Sequence, residues 1–244
     1  MQNNTSFILG LFTGDGSFQI NHWKKKYLQY RVVIKLKSTS LNLKMLQDQR
    51  EYYKFGTIVP SDKSVVWAIN HKKQVHQFLN LLVENPLSLY KYLNHLKMLK
   101  MIYCIENNVS YSEYLFLEKD ISEWRWPFKK PAASTIPIEF TENFKWWLSG
   151  LVEAEGCFCI RKNGNQSFSV SQKNGGLIID SVKTFFEIPN KVIQKKCGTL
   201  VVETFNSRCC FKASNFFEKY PLRGEKIASF NRFKTHLYLK YGNE

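Results

Sequence analysis

The amino-acid sequence predicts an α+β protein formed by duplication of one unit within the chain. Residues 7–20 recur at 147–160, with matching Gly, Leu, Gly, Phe and Ile positions and an acid directly before the second of the matching glycines in each copy. After both copies the apolar pattern changes in the same order, from two strand-like runs to an amphipathic helix, two more strand-like runs and further helices. A length of 244 residues accommodates two such units.

Alternation of apolar and polar residues defines the predicted strands. In the first unit they lie at 17–23, 30–37, 56–59 and 64–69, with a helix at 41–53. In the second unit they lie at 157–162, 167–172, 191–195 and 199–205, with a helix at 177–186. Residues 121–143 contain prolines and lack helical periodicity, so we expect a linker there. The predicted domains are therefore 1–120 and 144–244.

The excess of basic side chains indicates a polyanionic partner. The chain has 35 lysines and arginines against 20 acidic residues, a net charge of +15, and the excess is spread along the sequence. Nucleic acid is the first candidate for that partner and an anionic membrane surface the second, with non-specific adhesion as the plain alternative. Hydrophobic residues make up 44% and aromatic residues 15%, which excludes wholesale disorder.

The cysteines and the amino terminus indicate a protein that is not secreted. The six cysteines form no C-x-x-C pair and have no histidine at zinc-finger spacing, so we expect reduced thiols in a reducing compartment. Residues 1–6 are polar and lack the basic and apolar regions of a secretory signal, and no stretch reaches eighteen apolar residues. We therefore expect no membrane segment.

Each copy of the repeated segment places two small residues four positions apart. The pairs are Gly10 with Gly14 and Gly150 with Ala154. On a helix this spacing forms a strip on one face, which allows two backbones to approach closely. If the two helices pair across a pseudo-twofold axis, Asp15 and Glu155 emerge side by side at their carboxyl ends.

Two carboxylates in that position are unfavourable without a counter-charge, because each also lies at the negative end of a helix dipole. Either one carboxyl group takes up a proton or divalent cations bind between them. Oxygen ligands favour Mg²⁺, with Mn²⁺ as a substitute. The alternative is that Asp15 and Glu155 merely end two helices, which the duplication of the pair disfavours.

Both segments resemble the LAGLIDADG motif, and the chain resembles a single-chain LAGLIDADG homing endonuclease over nearly all of its 244 residues. The resemblance implies a monomer with tandem pseudo-twofold αββαββα repeats, whose two four-stranded antiparallel sheets form a saddle over double-stranded DNA. It also implies that Asp15 and Glu155 bind the catalytic metals, and that the carbonyls of Gly14 and Ala154 are additional ligands.

Alignment of the two halves places further side chains near this site. Lys91 and Lys226 both open the last long helix of their half, where the family has basic residues near the active site; the alternative is two exposed helix lysines. By resemblance, Gln172 ends its strand at the catalytic end and holds a water at the metal. Thr13 stands where the second copy has Glu153, so the halves need not contribute equally to catalysis.

The strands indicate a DNA-binding surface independently of the motif. One parity is apolar, as in Phe18, Val32, Phe158 and Ile160, whereas the other carries types that hydrogen-bond base edges and phosphates. The predicted DNA-binding residues are Gln19, Asn21, Arg31, Lys35, Lys37, Cys159, Arg161, Ser169, Ser171 and Lys173. A strand of about eight residues spans about eight base pairs, so two halves suggest roughly 16–22 base pairs. The alternative is an ordinary solvated sheet face, which its repetition disfavours.

The resemblance implies metal-assisted phosphodiester hydrolysis that cuts both strands of a long asymmetric DNA site, by a protein encoded in a mobile intron. Richness in Lys, Asn, Phe and Tyr suggests an A/T-biased organellar genome, and we expect a mitochondrial location. Two other classes stay open: an intron RNA maturase, alone or as a second function, and a catalytically silent DNA-binding regulator. The two acids disfavour a role in binding alone, which requires no paired carboxylates.

Overall fold

The computed structural model describes residues 2–82, 89–119 and 139–242, and they form two units with the same order of elements. The first unit consists of α1 (Gln2–Asp15), β1 (Gly16–Trp23), β2 (Tyr27–Lys37), α2 (Ser40–Tyr53), β3 (Thr57–Pro60), β4 (Ser64–Ile69), α3 (Lys72–Leu81), α4 (Leu89–Glu106) and α5 (Tyr111–Lys119). The second unit consists of α6 (Glu142–Glu155), β5 (Gly156–Ile160), β6 (Gln166–Lys173), α7 (Gly176–Phe185), β7 (Ile193–Gln194), β8 (Thr199–Thr204), α8 (Ser207–Lys219) and α9 (Lys226–Tyr241).

Each unit contains one four-stranded antiparallel sheet. The strand orders are β1-β2-β4-β3 and β5-β6-β8-β7, with the repeated segment leading into the outer strand of each sheet. Helices α2 and α4 pack on the first sheet, and α7, α8 and α9 pack on the second. The predicted α+β fold with two antiparallel sheets is therefore confirmed.

Several predicted boundaries differ from the structure: β2 begins at Tyr27 instead of residue 30, and β5 ends at Ile160 instead of residue 162. Strand β7 covers only Ile193–Gln194, because Lys195 already belongs to the turn: its carbonyl accepts the amide of Gly198 at 2.9 Å. Most of the predicted linker, residues 121–138, lies outside the described residues. Its last part is helical, since the Thr141 side chain accepts the amide of Phe144 and caps α6 at Glu142.

Helices α1 and α6 pack backbone to backbone between the two sheets. The apolar side chains of α1 are completely buried, namely Phe7, Ile8, Leu9, Leu11 and Phe12. A Cβ on Gly10 would lie 1.8 Å from the carbonyl oxygen of Trp147, and one on Gly150 would lie 1.9 Å from that of Phe7. Only glycine fits at either position, so the close pairing expected from the small residues is present.

A loop before α9 joins the second unit to the first. The guanidinium of Arg223 lies 4.3 Å from the ring centre of Phe7 and 5.3 Å from that of Trp146, and it donates a hydrogen bond to Asn4. The amide of Glu225 donates to the Asn42 side chain at 3.0 Å. The loop therefore crosses the boundary between the two units on the side where α1 begins.

The cysteines are free thiols, as expected from their spacing. Among the residues that the structure describes, no helix combines the length and the apolarity needed to cross a membrane.

Candidate functional site

The two acids of the repeated segment lie at the carboxyl ends of the paired helices. Asp15 is the last residue of α1 and Glu155 the last residue of α6. A Cβ on Gly14 would lie 2.2 Å from Cβ of Ala154 and 2.9 Å from Cγ of Glu155. The small residues at the helix ends therefore bring both carboxylates to one place, as the sequence predicted.

The pKa values of Asp15 and Glu155 are both raised, as expected for two carboxylates that lie side by side. Burial, followed by the charge of Glu155, raises the pKa of Asp15 to about 6, although this residue keeps contact with solvent. Burial also raises the pKa of Glu155, and a hydrogen bond from the Ser171 hydroxyl opposes that rise. The charges of Lys91 and Lys226 lower both pKa values. A cation placed between the carboxylates would act in the same direction.

Two lysines flank the acids, one from each unit. Lys91, near the start of α4, is only 8% exposed, and its ammonium donates to the carbonyls of Phe12 at 2.5 Å and Gly14 at 2.6 Å. Burial lowers its pKa to about 8, and the two acids oppose that shift. Lys226, the first residue of α9, is half-buried and donates to the carbonyl of Gly156 at 2.5 Å. Neither is an exposed helix lysine, so that alternative is wrong.

The available donors suit a hard divalent cation. In the described part of the chain no three His, Cys, Asp or Glu side chains cluster, so protein ligands reduce to the two carboxylates and nearby carbonyls. Such oxygen donors are the ligands that Mg²⁺ prefers, with substrate phosphates completing the shell. The carbonyl of Gly14 already accepts the Lys91 ammonium, so its predicted role as a ligand requires sharing that oxygen. The predicted role of the Ala154 carbonyl stays a prediction.

The difference between Thr13 and Glu153 has a structural explanation that the sequence did not supply. Glu153 is 4% exposed and accepts the backbone amides of Arg223, Gly224 and Lys226 at 2.9, 2.9 and 3.2 Å. Burial raises its pKa, and these three hydrogen bonds lower it. The Thr13 hydroxyl instead donates to the carbonyl of Leu9 at 2.8 Å. Glu153 thus holds the start of α9, from which Lys226 reaches the site.

Gln172 lies at the same end of the molecule but on the buried side of its strand. It is 4% exposed, and its Nε2 lies 3.4 Å from the carbonyl oxygen of Thr13, across the boundary between the units. Its Oε1 is buried and has no hydrogen-bond partner among the described residues. The structure therefore brings Gln172 to the helix ends, with one buried acceptor left unsatisfied.

The predicted DNA-binding residues share one face of each sheet, and none of the ten is buried. Arg31 pairs with Gln19 across β1 and β2, and its Nε donates to the glutamine Oε1 at 2.7 Å. Arg161 forms an ion pair with Glu203 at 3.1 Å and stacks 4.4 Å from the ring centre of Phe205. Ser171 lies at the inner end of its strand, where its hydroxyl contacts Glu155.

Two residues depart from the predicted alternation. Ile160, predicted on the apolar face, is 41% exposed at the end of β5. Val33 is buried at 4% although it has the parity of Arg31 and Lys35. Sequence reasoning also missed polar positions that the register places beside the predicted set. They are Gln29 on the second strand of the first unit, and Thr57, Ser64, Thr199 and Glu203 on the third and fourth strands.

The overall fold is similar to that of two meganucleases of known structure. The meganuclease I-CpaMI, solved bound to uncleaved DNA, superposes with a TM-score of 0.78 over 98% of this chain and 92% of its own, at 16% identity. I-SmaMI, solved bound to uncleaved DNA in the presence of calcium ions, superposes with a TM-score of 0.75 over 98% and 92%, at 14% identity.

The sequence relationship identifies the family. The LAGLIDADG endonuclease profile matches residues 8–102 and 148–237, one segment in each unit. A probable intron-encoded endonuclease, aI3 of Dictyostelium citrinum, is 34% identical over 94% of this chain and 93% of its own length. The chain spans 37% and 63% of longer proteins of that name from Debaryomyces hansenii and Kluyveromyces lactis. The chain belongs to the LAGLIDADG endonuclease family, as its repeated motif indicated.

Proposed function

We propose that the protein cuts double-stranded DNA at one long asymmetric site by divalent-metal-dependent hydrolysis, with Mg²⁺ as the ion and Mn²⁺ as a substitute. One observation carries the proposal: the paired acids lie where two glycine-packed helices end, between two sheets with basic and amide side chains on one face. Together the two sheet faces are long enough for roughly 16–22 base pairs. Both acids belong to one chain, so the proposed enzyme acts as a monomer.

The chain's own residues divide the work as follows. A divalent cation, when bound, lowers the pKa of a water and stabilises the leaving oxygen. Asp15 and Glu155 hold it through their carboxylates, which requires both to be deprotonated. Lys91, with a pKa of about 8, is largely protonated at neutral pH and adds positive charge beside Gly14. Lys226 supplies the corresponding charge from the second unit, beside Gly156.

The remaining residues position the reactants. Gln172 offers its unpartnered Oε1 to a water at the helix ends. The ten residues of the sheet faces hold the duplex through phosphates and base edges. A long recognition surface on rigid strands is what a site-specific nuclease needs, because each base read correctly contributes about 1–3 kcal/mol of discrimination.

A second function in RNA splicing is the alternative that we keep. The relatives named above are called intron-encoded endonucleases. We infer that the protein is encoded in an organellar intron and acts in mitochondria. Intron RNA is then a polyanion available to the same basic chain. The paired carboxylates favour nuclease chemistry over RNA binding alone.

The test is cleavage of a randomised double-stranded DNA library with Mg²⁺, followed by sequencing of the cut ends. A sharp consensus of roughly 16–22 base pairs is the expected result. Addition of EDTA should abolish cutting, and Ca²⁺ should permit binding with little cutting. The matched control is Asp48→Asn, an exposed acid in α2 that should leave both consensus and rate unchanged. Cutting that persists in EDTA, or cutting without any consensus, would overturn the proposal.

A further inference from the structure

The two hairpins that begin at the acids have different lengths. Strands β1 and β2 contain 8 and 11 residues, whereas β5 and β6 contain 5 and 8. The first ladder ends at the pair Trp23 and Tyr27. The second ends at Ile160 and Gln166, with one further backbone hydrogen bond from Arg161 to Asn165. The first hairpin therefore reaches two or three residues further from the site, about 7–10 Å.

The extra length has its own support. A second, smaller core under the first hairpin contains Met101, Cys104 and Tyr114, and Ile20 and Leu28 pack against it. The side chains of His22 and Tyr111 are hydrogen-bonded at 3.1 Å, which ties β1 to α5. In the second unit, the described residues contain no helix that corresponds to α5. The extension is thus a folded part of the molecule.

The turn at the end of the first hairpin consists of three exposed lysines, Lys24, Lys25 and Lys26. Lys24 and Lys25 have φ values of 50° and 52°, in the left-handed region that favours glycine. Trp23 and Tyr27 beside the turn are 47% and 65% exposed. Three cations and two aromatic rings at this tip suit the phosphate backbone of a nucleic acid.

The turn of the second hairpin is built differently. It uses glycine in the left-handed region, Gly164 with φ 76°. Its carbonyl lies 2.9 Å from Nε2 of His236 and accepts the Lys240 ammonium at 2.9 Å, so the turn is tied to α9. Of the two hairpin turns, therefore, the longer one has lysines at left-handed positions where the shorter one has glycine, which is less strained there.

We propose that the turn of the first hairpin contacts DNA phosphates, so that the first unit binds a half-site two or three base pairs longer than that of the second. The difference follows from about 7–10 Å of extra strand at 3.4 Å per base pair. This inference rests on the proposed function, in which the sheet faces lie on DNA. The three exposed lysines at the tip of the longer hairpin supply the positive charge for these contacts.

The decisive variant is the double substitution Lys24→Gly with Lys25→Gly. Glycine relieves the left-handed strain, so the urea midpoint should rise, whereas loss of two phosphate contacts should weaken DNA binding. We expect the slope of log affinity against log salt to fall by about two. The matched control is Lys54→Gly, an exposed lysine with φ 57° at the end of α2, which should raise the midpoint and leave binding unchanged.

Hydroxyl-radical footprints in Ca²⁺, on the target found by the library selection, measure the half-sites directly. The wild-type footprint should extend two or three base pairs further on one side of the cut, and the double variant should lose that extension. Equal flanks, or a variant with unchanged affinity and footprint, would overturn the inference while cleavage persists. Absence of a specific footprint for the wild type would instead overturn the proposed function.

Discussion

Substitution of Gly10 by alanine tests whether the helix pair sets the position of the two acids. A Cβ at this position would lie 1.8 Å from the carbonyl oxygen of Trp147 and 2.8 Å from the amide nitrogen of Leu151. Both obstacles are backbone atoms, so a side-chain rotation cannot relieve the clash. The two helices must separate by about 1.5 Å to restore ordinary contact.

Two effects of opposite sign determine the change in stability. Alanine in place of glycine stabilises a helix interior by roughly 0.5–1 kcal/mol. Overpacking a core costs about 1–3 kcal/mol, and the upper end applies here because the side chains of α1 on both sides of Gly10 are completely buried. The free energy of unfolding of Gly10→Ala should therefore fall by about 2 kcal/mol.

The effect on cleavage should exceed the effect on stability. Separation of α1 from α6 also separates Asp15 from Glu155, because the acids end those helices. A misplacement of about 1 Å in a catalytic site can lower the rate by about 100-fold. Urea unfolding and single-turnover cleavage at a temperature where the variant is folded measure the two effects separately.

Gly176→Ala is the control for a glycine in a helix. A Cβ there would meet only Cδ1 of Leu200, at an ordinary 3.8 Å, so both stability and rate should stay close to wild type. If Gly10→Ala unfolds at the wild-type urea concentration and cuts at the wild-type rate, the helix pair does not fix the acids.

Four further predictions concern the site and the sheet. Asp15→Asn and Glu155→Gln should each preserve DNA binding and abolish cutting of both strands, which is measured by the conversion of a supercoiled target plasmid. A variant that nicks only one strand would instead indicate two independent sites. In EDTA, the raised pKa of Asp15 disfavours its charged form in the folded state, so wild-type stability should fall as pH rises from about 4 through 6. Asp15→Asn should remove this loss of stability, which amounts to about 1–2 kcal/mol once solvent screening of the exposed Asp15 is included. If the urea midpoints of the wild type and the variant change in parallel with pH, the raised pKa of Asp15 is contradicted. Glu153→Gln should lower the free energy of unfolding by about 1–3 kcal/mol, because three backbone amides lose their hydrogen bonds to a buried carboxylate. A variant with the wild-type urea midpoint would show that Glu153 does not hold the start of α9. Arg31→Ala should weaken DNA binding without a change in the urea midpoint. If Arg31 contacts a phosphate, the slope of log affinity against log salt should flatten by about one, whereas a base contact should leave that slope unchanged. Unchanged affinity would remove Arg31 from the interface.

The duplication made most of the fold predictable from the sequence. A motif present twice supplies two independent readings of the same local pattern, so strands and helices could be checked against each other. The spacing of Gly10, Gly14 and Gly150 indicated on steric grounds that the two helices could pair closely. The convergence of Asp15 and Glu155 followed from that pairing, because both end their helices.

What the sequence could not predict depends on contacts between distant segments. Glu153 accepts amides from a loop that begins 70 residues later, and no periodicity connects the two. The carbonyls that Lys91 bonds belong to α1, so its role could be placed only by alignment of the halves. The ladder lengths of the two hairpins also escaped prediction: β2 begins at Tyr27, three residues before the predicted start, whereas β5 ends at Ile160, two residues before the predicted end.

The pairing of α1 with α6 also dictates an order of events during synthesis. The apolar side chains of α1 leave the ribosome first, yet they are buried against a helix that begins at Glu142. At about 5–20 residues per second, α1 waits roughly 7–30 s for that partner. During this interval the face of α1 that carries Gly10 and Gly14 has no partner helix. The same glycine-packed seam that brings the acids together therefore stays open until α6 has been synthesised.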